Sequence, residues 1–181
     1  MSEELQVLEE VATRLNEAAI PYMISGSVAM NYYAQPRMTR DIDIVVVLAN
    51  NDVSRFVALF EKDYYVDEAT VKEEVSRGGM FNLIHNKYVI KIDFILRKSG
   101  AYDDGAFQRK QLVKVDGFQL WIISPEDLML NKLRWAQESM SEVQLNDVRN
   151  IIEASADLDW QYLTKWADSL GARVLLDQVR R

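Results

Sequence analysis

The run Ile42-Asp43-Ile44-Val45-Val46-Val47-Leu48 constrains the fold more than any other segment. Its latter half is apolar on both faces, the pattern of a strand set centrally in a sheet and covered on each side. Its approach alternates instead: in Arg40-Asp41-Ile42-Asp43-Ile44 the acids project from one face of a strand while the isoleucines face the core. A central strand needs neighbouring strands at both edges and helices over both faces.

The periodicity along the chain supplies both. Leu5, Leu8, Val11 and Leu15 recur at helical spacing behind Ser2, a capping residue, and Pro21 ends this first helix. Tyr22-Met23-Ile24 reads as a short strand, Gly26-Ser27 as a turn, and residues 28–33 as a brief helix stopped by Pro36. Residues 52–62 carry Val53, Phe56, Val57 and Phe60 on one stripe, so a helix is expected, with a second short one around 69–77 broken by Gly78-Gly79. Residues 81–84 and 88–96 form an expected hairpin turned at His85-Asn86-Lys87, and residues 112–115 and 118–123 a second one around Asp116-Gly117, a dipeptide suited to positive φ.

From Ser124 the pattern becomes helical: Ser124 can cap, Pro125 takes the first helical position, and Asp127 stands where a capping box has its acid. Three apolar stripes follow, through Leu128, Leu130, Leu133 and Trp135, then Val148, Ile151 and Ile152, then Leu163, Trp166 and Leu170. The expected class is α/β (α+β), a mixed sheet flanked by helices over residues 1–123 with a C-terminal helical subdomain over 124–181.

Composition narrows the function classes. The 181 residues are 49% hydrophobic and 27% charged, and no segment approaches the roughly 18 unbroken apolar residues of a membrane span. The acidic start Ser2-Glu3-Glu4 lacks the pattern of a secretory signal, and the absence of cysteine excludes disulfides and thiolate metal sites. A cytoplasmic protein with no membrane partner is expected. The formal charge of −7 argues against a surface built wholly for nucleic acid, although a local basic patch stays open and a bound divalent cation can reverse the field at clustered acids.

Two like charges as close as Asp41 and Asp43 repel, so the pair is either a hydrated surface feature or the ligands of a shared divalent ion; Mg²⁺ takes oxygen ligands of this kind together with substrate phosphates. Asp93, within the otherwise apolar Lys91-Ile92-Asp93-Phe94-Ile95, adds a third acid whose burial without a partner is costly. Either Lys91 pairs with it, or it completes a two-metal arrangement in which it also helps deprotonate an attacking hydroxyl. Ser25-Gly26-Ser27 lies between a strand and a helix start, where backbone N–H groups and the helix dipole can hold phosphate. For Gly26-Ser27 to face Asp41 and Asp43, the two strands have to run antiparallel. Arg37 and Arg40 flank Thr39 close to the acids, as phosphate ligands or as surface ion pairs. His85, with no partner for a zinc site, reads as structural, and Tyr32, Tyr33, Trp135 and Trp166 read as packing residues within apolar stripes.

The run Ser25-Gly26-Ser27-Val28-Ala29, followed by Pro36-Arg37-Met38-Thr39-Arg40-Asp41-Ile42-Asp43, resembles the signature of DNA polymerase β-like nucleotidyltransferases. It is similar in particular to the AbiEii-type group, which includes toxins of toxin–antitoxin systems, and the resemblance continues at Ser124-Pro125-Glu126-Asp127-Leu128 with Lys132 and at Asn146-Asp147-Val148. The resemblance implies Mg²⁺ (or Mn²⁺) and an NTP as substrate. Asp41, Asp43 and Asp93 would be catalytic and metal-binding, and Gly26, Ser27, Arg37, Thr39, Arg40 and Lys132 nucleotide-binding, with Asp147 in support. The acceptor would be a hydroxyl of tRNA or another RNA, of a protein, or of a small molecule such as an aminoglycoside, and an antitoxin protein would be a partner. The chain departs from toxin members in its short helical part and in having no extended basic region; a catalytically silent nucleotide- or partner-binding module is the competing reading.

Overall fold

The computed structural model describes residues 2–39, 41–139 and 141–180. Helix α1 (Glu3–Glu17) is capped by Ser2, whose Oγ accepts the Leu5 N–H at 3.3 Å, and it buries Val7, Leu8, Val11, Ala12 and Leu15 along one stripe. Strand β1 (Tyr22–Ile24) leads directly into α2 (Gly26–Tyr33), and β2 (Asp41–Val46) follows. A 3₁₀ turn at Asn50–Asp52 opens α3 (Val53–Phe60), then come β3 (Tyr64–Tyr65) and α4 (Glu68–Arg77), which ends at Gly78 with φ of +66°. The hairpin β4 (Met80–His85) and β5 (Lys91–Leu96) is followed by α5 (Ala101–Gln108) and a second hairpin, β6 (Gln111–Val115) and β7 (Phe118–Ile122). Asp116 and Gly117 both take positive φ, 45° and 103°, as the tight turn between right-twisted strands demands.

The seven strands form one mixed sheet in the order β3-β4-β5-β2-β1-β7-β6. The doubly apolar strand is indeed central: β2 pairs antiparallel with β1 and parallel with β5. Alternation sorts its two faces. Ile42 and Ile44 stand in register with Ile92 and Phe94, and Phe94 packs against Phe56 of α3 and Phe81 of β4 at ring centroid distances of 5.1 and 5.4 Å. The intervening residues Asp41, Asp43 and Asp93 therefore face the opposite side, where α2 packs on β2 and α6 (Pro125–Ser139) and α7 (Glu142–Ala154) pack on α2.

Several elements differ from what periodicity predicts. Helix α5 carries Asp103-Asp104-Gly105 and buries only Tyr102, Ala106 and Phe107, too short a stripe to register as a helical period. The third C-terminal stripe is α8 (Trp160–Ser169), and a further helix that the stripes did not include, α9 (Arg173–Val179), follows the turn at Gly171, with φ of +71°. Trp135 and Tyr32 are not packing residues: they are 61% and 46% exposed. Trp135 lies two positions beyond the fully buried Leu133, about 200° round the helix, and so points away from the core. Tyr33 and Trp166 do pack, Tyr33 donating from its hydroxyl to the Ile123 carbonyl at 2.7 Å and Trp166 lying against Tyr102.

Asp127 goes beyond a helix cap. Ser124 Oγ accepts the Asp127 N–H at 3.1 Å, but the Asp127 carboxylate turns inward and is fully buried, accepting from Ser124 Oγ, Tyr162 and Arg109 at 2.6, 2.7 and 3.3 Å. This joins α5, α6 and α8. Phe56 is the hinge of the aromatic layer beneath the acids, so Phe56→Ala should lower unfolding free energy by about 3–5 kcal/mol, read from urea denaturation at neutral pH.

Candidate active site

The β1–β2 ladder runs one residue past β1: the Ser25 N–H donates to the Asp43 carbonyl at 2.9 Å. The chain then turns into α2 through Gly26 at φ of +58°. A Cβ at Gly26 would overlap the Asp43 carboxylate, so both the backbone conformation and the available space call for glycine. The Ser27 backbone N–H donates to that carboxylate. The antiparallel arrangement demanded by the sequence is thus present, and it sets the start of α2 directly on Asp43.

Asp93 stands beside Asp43 in register across the parallel β2–β5 pair. Burial pushes the Asp43 carboxyl above the usual carboxylate range, with Asp93 and Asp41 adding repulsion and the Ser27 N–H opposing. Asp93 is buried; its Oδ2 accepts from Lys91 at 2.8 Å while its Oδ1 has no hydrogen-bond partner among the described residues. Lys91 also reaches Asp41 Oδ2 at 3.8 Å, and the hydrogen bond to Asp93 holds its ammonium above the usual lysine range. Asp41, at the exposed start of β2, is fixed through its backbone, whose N–H and carbonyl both meet the Thr39 hydroxyl. Among the described residues, no three histidine, cysteine, aspartate or glutamate side chains are gathered closely enough to hold a metal ion as they stand; the acids form an open row along two strands.

A second cluster adjoins the first. Arg37 donates to Ser27 Oγ at 2.8 Å and binds Asp147 through two nitrogens at 3.1 and 3.0 Å. Lys132 Nζ donates to the same carboxylate at 2.7 Å and to Gln144 at 3.2 Å. Asn31 fastens the Arg37 backbone on both sides, accepting its N–H at 2.9 Å and donating to its carbonyl at 2.8 Å. Burial alone would raise the Asp147 carboxyl, but the hydrogen bonds from Arg37 and Lys132 outweigh it and hold it below the usual range. Burial works in turn to strip Lys132 of its proton, with Asp147 opposing and Asp43 adding attraction through space. Two helices beyond the sheet thereby supply charge next to the acids.

The structure brings Gly26, Ser27, Asp43 and Asp93 together directly, and joins Arg37, Lys132 and Asp147 to them through Ser27. Arg40 lies outside the described residues. Asp147 does not engage Arg149, which pairs with Asn146 and Glu142 instead. His85 is buried in the β4–β5 turn between Tyr64 and Tyr88, accepting the backbone N–H groups of Lys87 and Tyr88 on Nδ1. The pairing of Lys91 with Asp93 is one of the two alternatives the sequence offers for that acid, whereas its place opposite Asp41 shows only in the strand pairing, and nothing in the sequence points to Asn31 or Gln144.

The sequence pattern of a family described as "nucleotidyl transferase of unknown function (DUF2204)" matches residues 4–174. The chain belongs to this family. The nucleotidyl transferase shares its fold with the antibiotic-resistance factor ANT(2'')-Ia, at a TM-score of 0.64 and 12% identity over 98% of each chain. An antigenic nucleotidyltransferase-like protein from Paracoccidioides brasiliensis superposes with a TM-score of 0.58 at 18% identity, covering 98% of this chain and 92% of its own. The lincosamide antibiotic adenylyltransferase LnuA, bound to lincomycin, gives 0.55 at 14% identity over 86% and 98% of the two chains. Comparison with curated proteins finds no match. Among the described residues, no helix is long and apolar enough to cross a membrane.

The two clusters should respond oppositely to charge removal. Asp43 has its folded-state pKa raised, so its ionisation costs stability once pH rises through that value; Asp43→Asn should raise Tm at pH 7, and the gain should vanish below the carboxylate range. Asp147 has its pKa depressed and stabilises above the unfolded carboxyl value of about 3.9, losing that contribution as pH falls. Asp147→Ala, which strands buried Lys132, should cost about 3–5 kcal/mol at pH 7 in thermal or urea unfolding.

Proposed function

We propose that this nucleotidyl transferase moves a nucleoside monophosphate from an NTP to an acceptor hydroxyl at the place where Gly26 and Ser27 meet Asp43 and Asp93. The observation that carries the reading is the convergence of a helix start and two in-register carboxylates, one with a buried oxygen that has no hydrogen-bond partner among the described residues. A surface acid pair kept only for solubility has no need of such burial.

The donor set fits a divalent ion such as Mg²⁺ or Mn²⁺, since Asp41, Asp43 and Asp93 offer hard oxygen ligands and Asp93 Oδ1 has no hydrogen-bond partner among the described residues. When bound, such an ion would neutralise phosphate charge and polarise the α-phosphate. The rest is work for the chain. Gly26, Ser27 and Thr39 border the triphosphate, the glycine allowing close backbone approach. Arg37 and Lys132 supply positive charge beside it, held ready by Asp147 in the helical subdomain over residues 124–181. By the sequence resemblance, Arg40 would add to that charge. The acceptor oxygen bonds to the α-phosphorus, the bond to the bridging oxygen of the β-phosphate breaks, and pyrophosphate leaves with its electron pair. The hydroxyl proton passes to the Asp93 carboxylate.

The acceptor we favour is a hydroxyl-bearing small molecule. ANT(2'')-Ia has been seen with adenylyl-2''-tobramycin and LnuA with lincomycin, and the formal charge of −7 disfavours a broad RNA-binding surface. An RNA acceptor, a toxin role and an antitoxin partner rest on the AbiEii-type resemblance around Arg37-Met38-Thr39.

Incubation with each α-labelled NTP and separated pools of cellular small molecules, RNA and protein tests this directly. Label should enter the small-molecule pool, and Asp43→Asn and Asp93→Asn should each lower the rate by about 10²–10³-fold or more with folding intact. Unchanged transfer by both variants would refute the mechanism, and NTP binding without any transfer would favour a silent module.

A further inference from the structure

Lys91 stands where an incoming cation has to go. The parallel pairing of β2 with β5 sets Asp41 opposite Lys91 and Asp43 opposite Asp93, so all four side chains share one face. The Lys91 ammonium sits 2.8 Å from Asp93 Oδ2 and 3.8 Å from Asp41 Oδ2, bridging the two acids that flank Asp43. Its side chain is 40% exposed, so the four-carbon stem can carry the charge away into solvent. An ammonium and a divalent ion cannot both occupy the same carboxylate oxygens, and their charges repel at such range.

We infer that Lys91 is a resident counter-ion of the acid row, which competes with a divalent metal for Asp41 and Asp93 and thereby sets the metal affinity of the site. The inference rests on the reading that these acids hold a metal. Without the ion, Lys91 offsets repulsion among three carboxylates and keeps the empty site stable. With the ion, the lysine is displaced, and the lost ion pair subtracts from the binding free energy. Because Asp93 Oδ1 has no hydrogen-bond partner among the described residues, metal can first engage that oxygen while Lys91 still holds Oδ2, which gives exchange a stepwise route.

The test is Mn²⁺ titration calorimetry on the full chain, comparing the natural protein with Lys91→Met, Lys91→Gln and Lys91→Arg. The neutral variants should bind Mn²⁺ about three- to tenfold more tightly, as expected for loss of a partly exposed ion pair. They should also melt at lower temperature without Mn²⁺ and gain more Tm from it, whereas Lys91→Arg stays near the natural protein. The same charge change at Lys114→Met, on the exposed hairpin strand β6, should leave Mn²⁺ affinity unaltered, which separates a local effect from a change in net charge. Equal or weaker binding by both neutral variants would overturn the inference while leaving a metal-holding site intact. Absence of Mn²⁺ binding in every protein would overturn the metal reading itself.

Discussion

The hydrogen bond from the Ser25 N–H to the Asp43 carbonyl, at 2.9 Å, is the joint on which the arrangement depends. It extends the β1–β2 ladder beyond the strand just far enough that the chain must turn into α2 against the Asp43 side chain. Only a residue without Cβ can make that turn, and the same approach lets the Ser27 N–H meet the Asp43 carboxylate. On its other side β2 pairs in parallel with β5, and identical register sets a second carboxylate beside the first. Backbone pairing therefore forces two acids together beneath a helix start, against their mutual repulsion. The aromatic layer of Phe56, Phe81 and Phe94 on the opposite face offsets that repulsion through burial of large apolar rings.

Charge organisation on the helical side follows a different rule. Asp147 and Lys132 are almost wholly buried, and each would be costly alone; together with Arg37 they satisfy one another and tie α6 and α7 to the loop after α2. Asp127 plays the corresponding part at the N-terminal end of α6, where Arg109 lies over the Tyr162 ring at 3.9 Å. The helices are thereby held at fixed positions relative to Ser27, so cationic groups beside the acids are ordered before any ligand arrives.

Much of this was legible in the sequence, because strand alternation and turn chemistry are local. The acid-bearing face of β2, its central place and the Asp116-Gly117 turn follow from spacing within a few residues, while the antiparallel approach of Gly26 follows from requiring it to face the acids. What escaped depends on distant partners. Arg37 and Asp147 are 110 positions apart, and nothing near either names the other. The pairing of Lys91 with Asp93 is one of the two readings its strand offers, but its reach to Asp41 appears only with the β2–β5 register. Trp135 and Tyr32 look like core residues by hydrophobicity alone, and only helix rotation reveals that both face outward. The family pattern across residues 4–174 defines the chemistry as nucleotidyl transfer, while identities of 12–18% to the fold neighbours show the fold and leave the acceptor a proposal.

The central claim is that Gly26, Ser27, Asp43 and Asp93 form one nucleotide-transfer centre. Crystals grown with Mn²⁺ and a non-hydrolysable NTP analogue, measured at the manganese absorption edge, test it most directly. The account predicts an anomalous peak within ligand distance of Asp43 and Asp93, with the triphosphate lying along Gly26 and Ser27. A triphosphate bound elsewhere, with no anomalous peak at either aspartate, would contradict it.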